Sequence, residues 1–310
     1  MPSTKKRIIN TIKESLPGAR KTSLWIVKIT VSVSLLIVFL RYTGILYWLS
    51  NLLSPLFNVV GLPGEAALAY VTGYFANVYS AIAVMTTLTL DVRAITILSV
   101  MVLCSHSMIM ETAVQKKTGS SAVRIVVVRT LSAFILGMVL NRIMPGAAVR
   151  LATPLAEHHE SIQTLLTQWC WSTLQLVIKM VVLIFLLSAV QRLLSEFGVI
   201  RWIAKFLRPV MYFFGLPAKT AFLWIVANTL GLTYGGAVMI EEAEQGKIKK
   251  QDADLLNHHI CISHSNLEDV ILLVSVGGMV LWMLFFRWAM SFLLVWELHL
   301  ERWLIRKRTP

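Results

Sequence analysis

The chain has 310 residues, of which 56% are hydrophobic and only 15% charged, and its formal net charge is +13. Its mean hydropathy is +0.70. Because soluble domains carry about a quarter charged residues, this composition excludes an ordinary soluble protein and predicts an all-α integral membrane protein with membrane lipids as partners. No pattern of interleaved basic and aromatic residues indicates a nucleic-acid partner.

Seven apolar stretches follow one another along the chain. A helix needs about 20 apolar residues to cross a hydrocarbon core of about 30 Å. The stretches that approach or exceed this length are 24–40, 65–87, 94–110, 123–145, 173–190, 221–239 and 270–299. The last is long enough for more than one pass. We predict 8–10 membrane segments, some of them re-entrant or broken.

Both ends of the chain are basic. Residues 1–22 form a basic segment before the first apolar stretch, and residues 301–310 form a basic tail. Basic residues beside membrane spans mark the cytoplasmic side, so both termini are predicted to be cytoplasmic. The first apolar run is too long for a signal peptide and is followed by no small-residue cleavage site, so it is interpreted as a retained span.

One unit of about 150 residues occurs twice. Gly61-Leu62-Pro63 matches Gly215-Leu216-Pro217, and Ser105-His106-Ser107 matches Ser263-His264-Ser265 after a small insertion. Self-similarity at a fixed period indicates duplicated structure. The predicted organisation is a basic segment (1–22), a first repeat (23–145), a linker (146–170), a second repeat (171–300) and a basic tail (301–310).

Duplicated halves can run parallel or antiparallel, and the distribution of charge bears on this choice. The segment after the first span of the second unit is very basic, with Arg201, Lys205 and Arg208, whereas its counterpart in the first unit is nearly uncharged after Arg41. Since cytoplasmic segments carry the excess of Lys and Arg, this asymmetry favours inverted repeats. Solute sites in duplicated transporters lie between the repeats near the membrane midplane.

Polar residues within the apolar helices are the candidate solute contacts. Polar groups at membrane depth are energetically costly and usually face a cavity or a partner. The predicted solute-binding residues are Asn77, Ser105, His106, Ser107, Asn228, Thr229, Tyr234, Ser263, His264, Ser265 and Asn266. The alternative is structural, with these side chains binding backbone where helices unwind. A titrating histidine, with its usual pKa of about 6.5, would couple a proton to the solute.

A metal site and two ion pairs are the other interpretations. His258, Cys261, His264 and Glu268 share one face of a continuous helix and are plausible transition-metal ligands, although one helix face cannot surround an ion. Glu111 and Arg129 are 18 residues apart, as are Asp269 and Arg287. A helical hairpin between them would place each acid beside its arginine, so two structural ion pairs are predicted. Substrate anchoring by the arginines remains open.

A Gly-Leu-Pro turn, an Asn/Thr/Gly helix and a Ser-His-Ser helix followed by an acid, all duplicated, resemble the Gate, or nucleoside recognition, domain. The chain is similar to a fusion of spore maturation proteins A and B, and more distantly to ferrous iron transporter B and concentrative nucleoside transporters. The resemblance implies a bacterial inner-membrane protein with a solute-gating core. No GxxxxGK[ST] loop is present, so the GTPase part of the iron transporter is not expected.

The sequence therefore predicts a transporter or gated permease for a small polar solute, nucleoside-like or other. One alternative is divalent-metal transport of the ferrous-iron kind, and another is a non-transport membrane scaffold or assembly factor. No nucleophile with a base and an orienting group is visible, so an enzyme is not predicted, and no cofactor is expected. A homo-oligomer is compatible with the sequence.

Overall fold

The computed structural model describes residues 4–145 and 161–308, without the side chains of a few residues inside helices. The described residues are helical and include no strand, which confirms the all-α prediction. The helices are α1 (Thr4–Tyr42), α2 (Ile45–Val59), α3 (Ala66–Phe75), α4 (Val78–Met85), α5 (Val92–Ser105), α6 (Met108–Lys117), α7 (Ala122–Ile143), α8 (Ile162–Glu196), α9 (Val199–Phe206), α10 (Arg208–Phe213), α11 (Ala221–Glu244), α12 (Lys250–Ser263), α13 (Asp269–Val274) and α14 (Val280–Arg308). Most of the predicted linker lies outside the described residues.

Five helical segments of the described chain are long and apolar enough to cross a membrane. They are Thr4–Leu40, Val92–Lys117, Ala122–Ile143, Ile162–Glu196 and Val280–Lys307. Two shorter apolar helices, Ala66–Phe75 and Ala218–Leu232, lie among them. The membrane character of the chain is therefore confirmed, whereas the total of 8–10 segments stays a prediction.

Broken segments lie in the centre and long unbroken helices lie outside them. The most apolar window of Val92–Lys117 is 78% buried, against 28% for that of Ile162–Glu196 and of Val280–Lys307. This order has a physical reason, because unpaired backbone groups at a helix break cannot be left in hydrocarbon. The unbroken helices expose only side chains to lipid, so they form the periphery.

Two of the predicted apolar helices are divided. Stretch 65–87 contains two helices, because α3 and α4 are separated at Ala76–Asn77, in line with the prediction that some segments are broken. Stretch 270–299 comprises α13 and most of α14, with a turn at Gly277–Gly278 between them. Gly277 has φ of +113°, a conformation that side chains disfavour and that allows the reversal.

The first long helices of the two predicted units run antiparallel. Arg7 near the start of α1 lies 2.9 Å from Glu196 at the end of α8. Farther along, the indole N–H of Trp169 near the start of α8 donates to the Ser34 hydroxyl of α1 at 3.0 Å. Helices α1 and α8 are the first long helices of the two predicted units.

The central broken helices also pass each other in opposite directions. The amide of Asn257, which precedes His264 on α12, donates to the hydroxyl of Thr118, which follows His106 and α6, at 2.8 Å. At the other end, the Met279 N–H after α13 donates to the Thr96 hydroxyl of α5 at 3.1 Å. The segments α5–α6 and α12–α13 therefore cross with their middles, the two Ser-His-Ser motifs, at the same level.

Candidate functional site

Both Ser-His-Ser motifs interrupt their helices. Helix α5 ends at Ser105 and α12 at Ser263, and the following histidines have extended backbone. Ser107 and Ser265 then adopt left-handed φ values of +48° and +57°, which are uncommon for residues other than glycine. The prediction that each motif lies on a continuous helix is therefore wrong, and the single helix face predicted to carry His258, Cys261, His264 and Glu268 does not exist.

The neighbouring helices are broken opposite these motifs. Gly231 in α11 has φ +73° and ψ 173°, a region open essentially only to glycine. The N–H of Ser107 donates to Gly73 O, and that of Ser265 donates to Ala227 O, each at 3.0 Å. The backbone of each motif is thus held by the helix that breaks beside it, which satisfies groups that would otherwise be unpaired in the membrane.

Two histidines meet where the broken helices cross. The Nε2 atoms of His106 and His264 are 3.3 Å apart, and the two residues are 4% and 1% exposed. Each Nδ1 lies within hydrogen-bond distance of a backbone carbonyl, that of Val102 at 3.2 Å and that of Ile260 at 2.7 Å. A carbonyl only accepts, so both Nδ1 atoms carry hydrogen and the Nε2 atoms point to the crossing.

Two carboxylates approach the same point. Glu111 Oε1 is 3.1 Å from His106 Nε2 and 3.0 Å from His264 Nε2. Asp269 Oδ2 is 3.2 Å from His106 Nε2. We call His106, His264, Glu111 and Asp269 the histidine–carboxylate cluster. It combines two side chains from each predicted unit, and all four residues are at most 8% exposed.

Two fully buried arginines bind the ends of the broken helices. Arg129 donates to Cys104 O at 2.9 Å and to His106 O at 2.8 Å, and its Nη2 lies 2.7 Å from Glu111 Oε2. A guanidinium at a helix C-terminus compensates the free carbonyls and the negative end of the helix dipole. The predicted Glu111–Arg129 ion pair is present.

The second arginine acts differently from the prediction. Arg287 donates to Ile262 O at 2.7 Å, to His264 O at 2.6 Å and to Asn266 Oδ1 at 3.1 Å. Asp269 faces His106 instead, so the predicted Asp269–Arg287 ion pair is wrong. The reason is the break at residues 264–268, which supplies oxygen atoms that occupy the guanidinium.

Most of the other predicted solute contacts bind backbone. The hydroxyls of Ser105, Ser263 and Thr229 each donate to the carbonyl four residues earlier, at 2.9, 3.0 and 2.7 Å. Ser107 Oγ donates to Ala76 O at 3.1 Å. Hydroxyls in apolar helices commonly bond to the preceding turn. These contacts fit the structural alternative given for these residues.

The predicted asparagines also have protein partners. Asn77 Oδ1 accepts from the N–H of Ser80 at 2.9 Å and caps α4. Asn228 Nδ2 donates to Trp224 O, and its Oδ1 accepts from Asn266 Nδ2 at 2.6 Å. Ser265 is buried at the break of α12. The Tyr234 side chain lies outside the described part of the chain.

The four predicted metal ligands do not converge. His258 Nδ1 is 2.7 Å from Asp254 O, and the Cys261 thiol donates to His258 O. Glu268 lies beyond the helix break, where it accepts from the Tyr79 hydroxyl at 2.5 Å and from the Gln191 amide at 3.4 Å. Of the four, only His264 belongs to a group of possible ligand atoms within the described residues, and its companions are His106 and Glu111.

A buried amide pair on α6 and α12 was not predicted as part of the site. Asn257 Nδ2 donates to Gln115 O at 3.2 Å and to Ser120 Oγ at 2.9 Å. Both residues have no exposed surface. Among the described residues, Asn257 Oδ1 and both amide atoms of Gln115 have no hydrogen-bond partner. The sequence feature that could have predicted Gln115 as part of the site is its spacing of four residues from Glu111, which places both on one helix face.

The polar pair has apolar or small counterparts in the other half. By the spacing of the two motifs, Gln115 corresponds to Leu273 and Asn257 to Ser99. Leu273 is fully buried in the hydrophobic core. The histidine–carboxylate cluster therefore has polar side chains on the α6–α12 side and a more apolar surrounding on the α5–α13 side.

Comparison with known proteins agrees with the resemblance drawn from the motifs. The Gate family, described as nucleoside recognition, matches residues 23–132. The uncharacterized membrane protein YvoD of Bacillus subtilis (strain 168) is 28% identical over 259 residues, which cover 81% of this chain and 81% of that protein. No solved structure matches the chain. The predicted Gate resemblance is confirmed.

Proposed function

We propose that this membrane protein, related to the Gate domain, is a permease for a small polar solute, with its site at the histidine–carboxylate cluster. The observation that carries the proposal is the meeting of His106 and His264, 3.3 Å apart, between two interrupted helices. Broken helices that cross at the middle of a membrane protein are typical of solute sites in secondary transporters. Ionisable groups at this depth are costly and are usually retained for function.

The proposal includes two inverted copies of one unit. Arg129 and Arg287 both bind the carbonyls of the motif histidine and of the residue two before it. Ser107 and Ser265 share a left-handed backbone. The antiparallel course of α1 and α8 supports an inverted rather than a parallel relation, and the cluster then lies on the pseudo-twofold axis.

The proposed orientation places both termini in the bacterial cytoplasm. The contact Arg7–Glu196 joins the start of α1 to the end of α8, and the contacts Lys219–Asp252 and Arg302–Asp254 join the segment just before α11 and the last turns of α14 to the start of α12; we assign these segments to one face. We call it the basic face, since Lys and Arg are concentrated there. Exposed basic residues on it are Lys116, Lys117, Arg201, Lys205, Arg208, Lys249, Lys250, Arg306 and Lys307. The positive-inside rule assigns this face to the cytoplasm.

Access to the cluster differs on its two sides. Gln115 and Asn257 lie between the cluster and the basic face. Their amide atoms without a hydrogen-bond partner would bind water or a passing solute. On the opposite face a cavity of about 630 Å³ is lined by residues that include Met85, Ile95 and Val276. Lys179 donates to Ser275 O at its wall at 2.6 Å. These features support entry from both faces toward one central site.

A flux assay tests the proposal. The purified chain is reconstituted in liposomes, and uptake of radiolabelled uridine and of Zn²⁺, the latter reported by an indicator dye inside, is measured. We expect uptake of one probe above that of protein-free vesicles. His106→Ala and His264→Ala should each reduce it at least about tenfold, whereas His299→Ala, outside the cluster, should not. Fluxes of both probes equal to those of empty vesicles would contradict the proposal.

A membrane scaffold without transport is the second candidate. The observation that favours it is the bonding of the Ser105, Ser263 and Thr229 hydroxyls to backbone carbonyls, which leaves them an architectural role. A scaffold predicts no flux, together with loss of folding rather than of activity when the cluster is changed. The same liposome assay therefore separates the two candidates.

A further inference from the structure

Acceptor atoms face one another in the histidine–carboxylate cluster. Because both Nδ1 atoms are directed to carbonyl oxygens, a neutral His106 and a neutral His264 both present Nε2 lone pairs to the crossing. Glu111 Oε1 lies within 3.1 Å of each, and a carboxylate oxygen is also an acceptor. Buried acceptors at such distances repel unless a cation lies among them.

The spacing of these atoms fits a metal ion. The three separations between His106 Nε2, His264 Nε2 and Glu111 Oε1 are 3.3, 3.1 and 3.0 Å. Ligands at about 2.0–2.1 Å from a tetrahedral ion are about 3.3 Å apart. A single proton can be shared between only one pair of these three atoms, whereas a metal ion would bind all three.

The surroundings are those of metal-binding side chains. A histidine ligand usually donates its other ring N–H to a carbonyl or carboxylate, and a carboxylate ligand is usually hydrogen-bonded in turn. Val102 O and Ile260 O accept from the two histidines, and the guanidinium of Arg129 forms an ion pair with the second oxygen of Glu111, 2.7 Å away. The three side chains are therefore oriented in advance.

We propose that His106, His264 and Glu111 bind one divalent transition-metal ion that prefers nitrogen and oxygen ligands, such as Zn²⁺, Mn²⁺ or Fe²⁺, and that this ion is the solute of the proposed permease. The inference rests on the proposed function for the transport step only. Three protein ligands leave a fourth position open. Asp269, whose Oδ2 is 3.2 Å from His106 Nε2, lies beside it.

The open position and the polar pair suit a mobile ion rather than a structural one. Structural zinc sites close the coordination with four protein ligands, whereas catalytic zinc sites keep one position for water or substrate. The unpaired Gln115 and Asn257 oxygens offer hard oxygen ligands for a partly hydrated ion on the side of the basic face. The ion would pass from these amides to the histidines.

Cobalt binding tests the metal site without transport. Co²⁺ is added to the purified chain in detergent, and visible absorption of the low-symmetry ion is titrated. We expect one Co²⁺ per chain, displaced by Zn²⁺, with affinity about a hundredfold weaker or more in His106→Gln and His264→Gln. Glu111→Gln, which retains the size of the side chain, is the second test should a histidine variant fail to fold. Circular dichroism and size exclusion check folding.

Matched controls come from the same buried helix. His258→Gln and Cys261→Ser change potential ligands on α12 that do not reach the cluster, and both should bind Co²⁺ as the unmodified chain does. Absence of Co²⁺ binding, or binding that survives in folded His106→Gln and Glu111→Gln, would overturn the metal site. Co²⁺ binding without Zn²⁺ flux would reject the transport role alone, and uridine flux without Co²⁺ binding would reject the metal alone.

Discussion

At the scale of single residues, the two buried arginines connect architecture to the candidate site. Arg129 is fully buried and holds together the carbonyls of Cys104 and His106 and the carboxylate of Glu111. Its removal would leave a charge and two carbonyls without a partner at the cluster. Arg124, one and a half turns earlier on α7, is partly exposed and binds Glu297 at 3.0 Å as well as Glu301. The two residues differ in burial and not in charge.

We expect Arg129→Ala to destabilise the protein by about 3–5 kcal/mol, because one partner of a buried ion pair is removed. Arg124→Ala should cost about 1 kcal/mol or less, because exposed ion pairs contribute little. Thermal unfolding in detergent measures both. Equal losses of stability in the two variants would show that the contacts of Arg129 with the two carbonyls and with Glu111 do not stabilise the fold.

At the scale of elements, interruptions of helices position the site. The break at Ser105–Ser107 turns His106 toward the second unit, and the break of α11 at Gly231 leaves room for Ser265. A Cβ added at Gly231 would lie 3.5 Å from Ser265 Oγ, which is an ordinary contact, so lack of space is not the reason that glycine is required here. The backbone conformation is the reason.

Gly231→Ala should therefore destabilise the protein by about 1–3 kcal/mol through backbone strain. Gly18 provides the matched control, because it lies inside α1 with no atom within 4 Å of an added Cβ. Gly18→Ala should stabilise the helix by about 0.5–1 kcal/mol. The midpoint of thermal unfolding reports the two signs. A stabilising Gly231→Ala would mean that α11 is continuous at this residue.

At the scale of the whole molecule, the distribution of charge defines two faces. The basic face carries the start of α1, the end of α14 and the loop around Gln245, whereas the loop around Thr89 lies at the far end of α5. Because α5–α6 and α12–α13 cross in opposite directions, these two loops are on opposite sides of the cluster. The orientation proposed above assigns only the first to the cytoplasm.

Cysteine labelling in intact bacterial cells tests this assignment. In a background with Cys170→Ser, which removes the exposed native thiol, Thr89→Cys should react with a membrane-impermeant maleimide added outside. Gln245→Cys should react only after the cells are permeabilised. Both positions are exposed, so accessibility within the protein is not the difference. The reverse pattern would place the basic face outside.

Much of the architecture could be predicted from the sequence. Long apolar stretches near α1, α7 and α8 reveal membrane helices directly, because their apolar length is set by the thickness of the bilayer. His106, His264, Glu111 and Arg129 were all identified from local spacing and polarity. The helix breaks were harder to predict, since Ser-His-Ser is compatible with a helix and its left-handed serine is stabilised by contacts to α3 and α11.

Only the tertiary structure decided which polar groups face one another. Local sequence placed His258, Cys261 and His264 on one helix face, yet His264 instead meets His106 and Glu111 from the other half of the chain. The tertiary structure also decided that Asp269 faces His106 and not Arg287. The sequence by itself determined a helical membrane protein with a Gate-like pattern. The site could be located only in the tertiary structure, because His264 is more than 150 residues from His106 and Glu111 and the distances between them depend on how the interrupted helices cross.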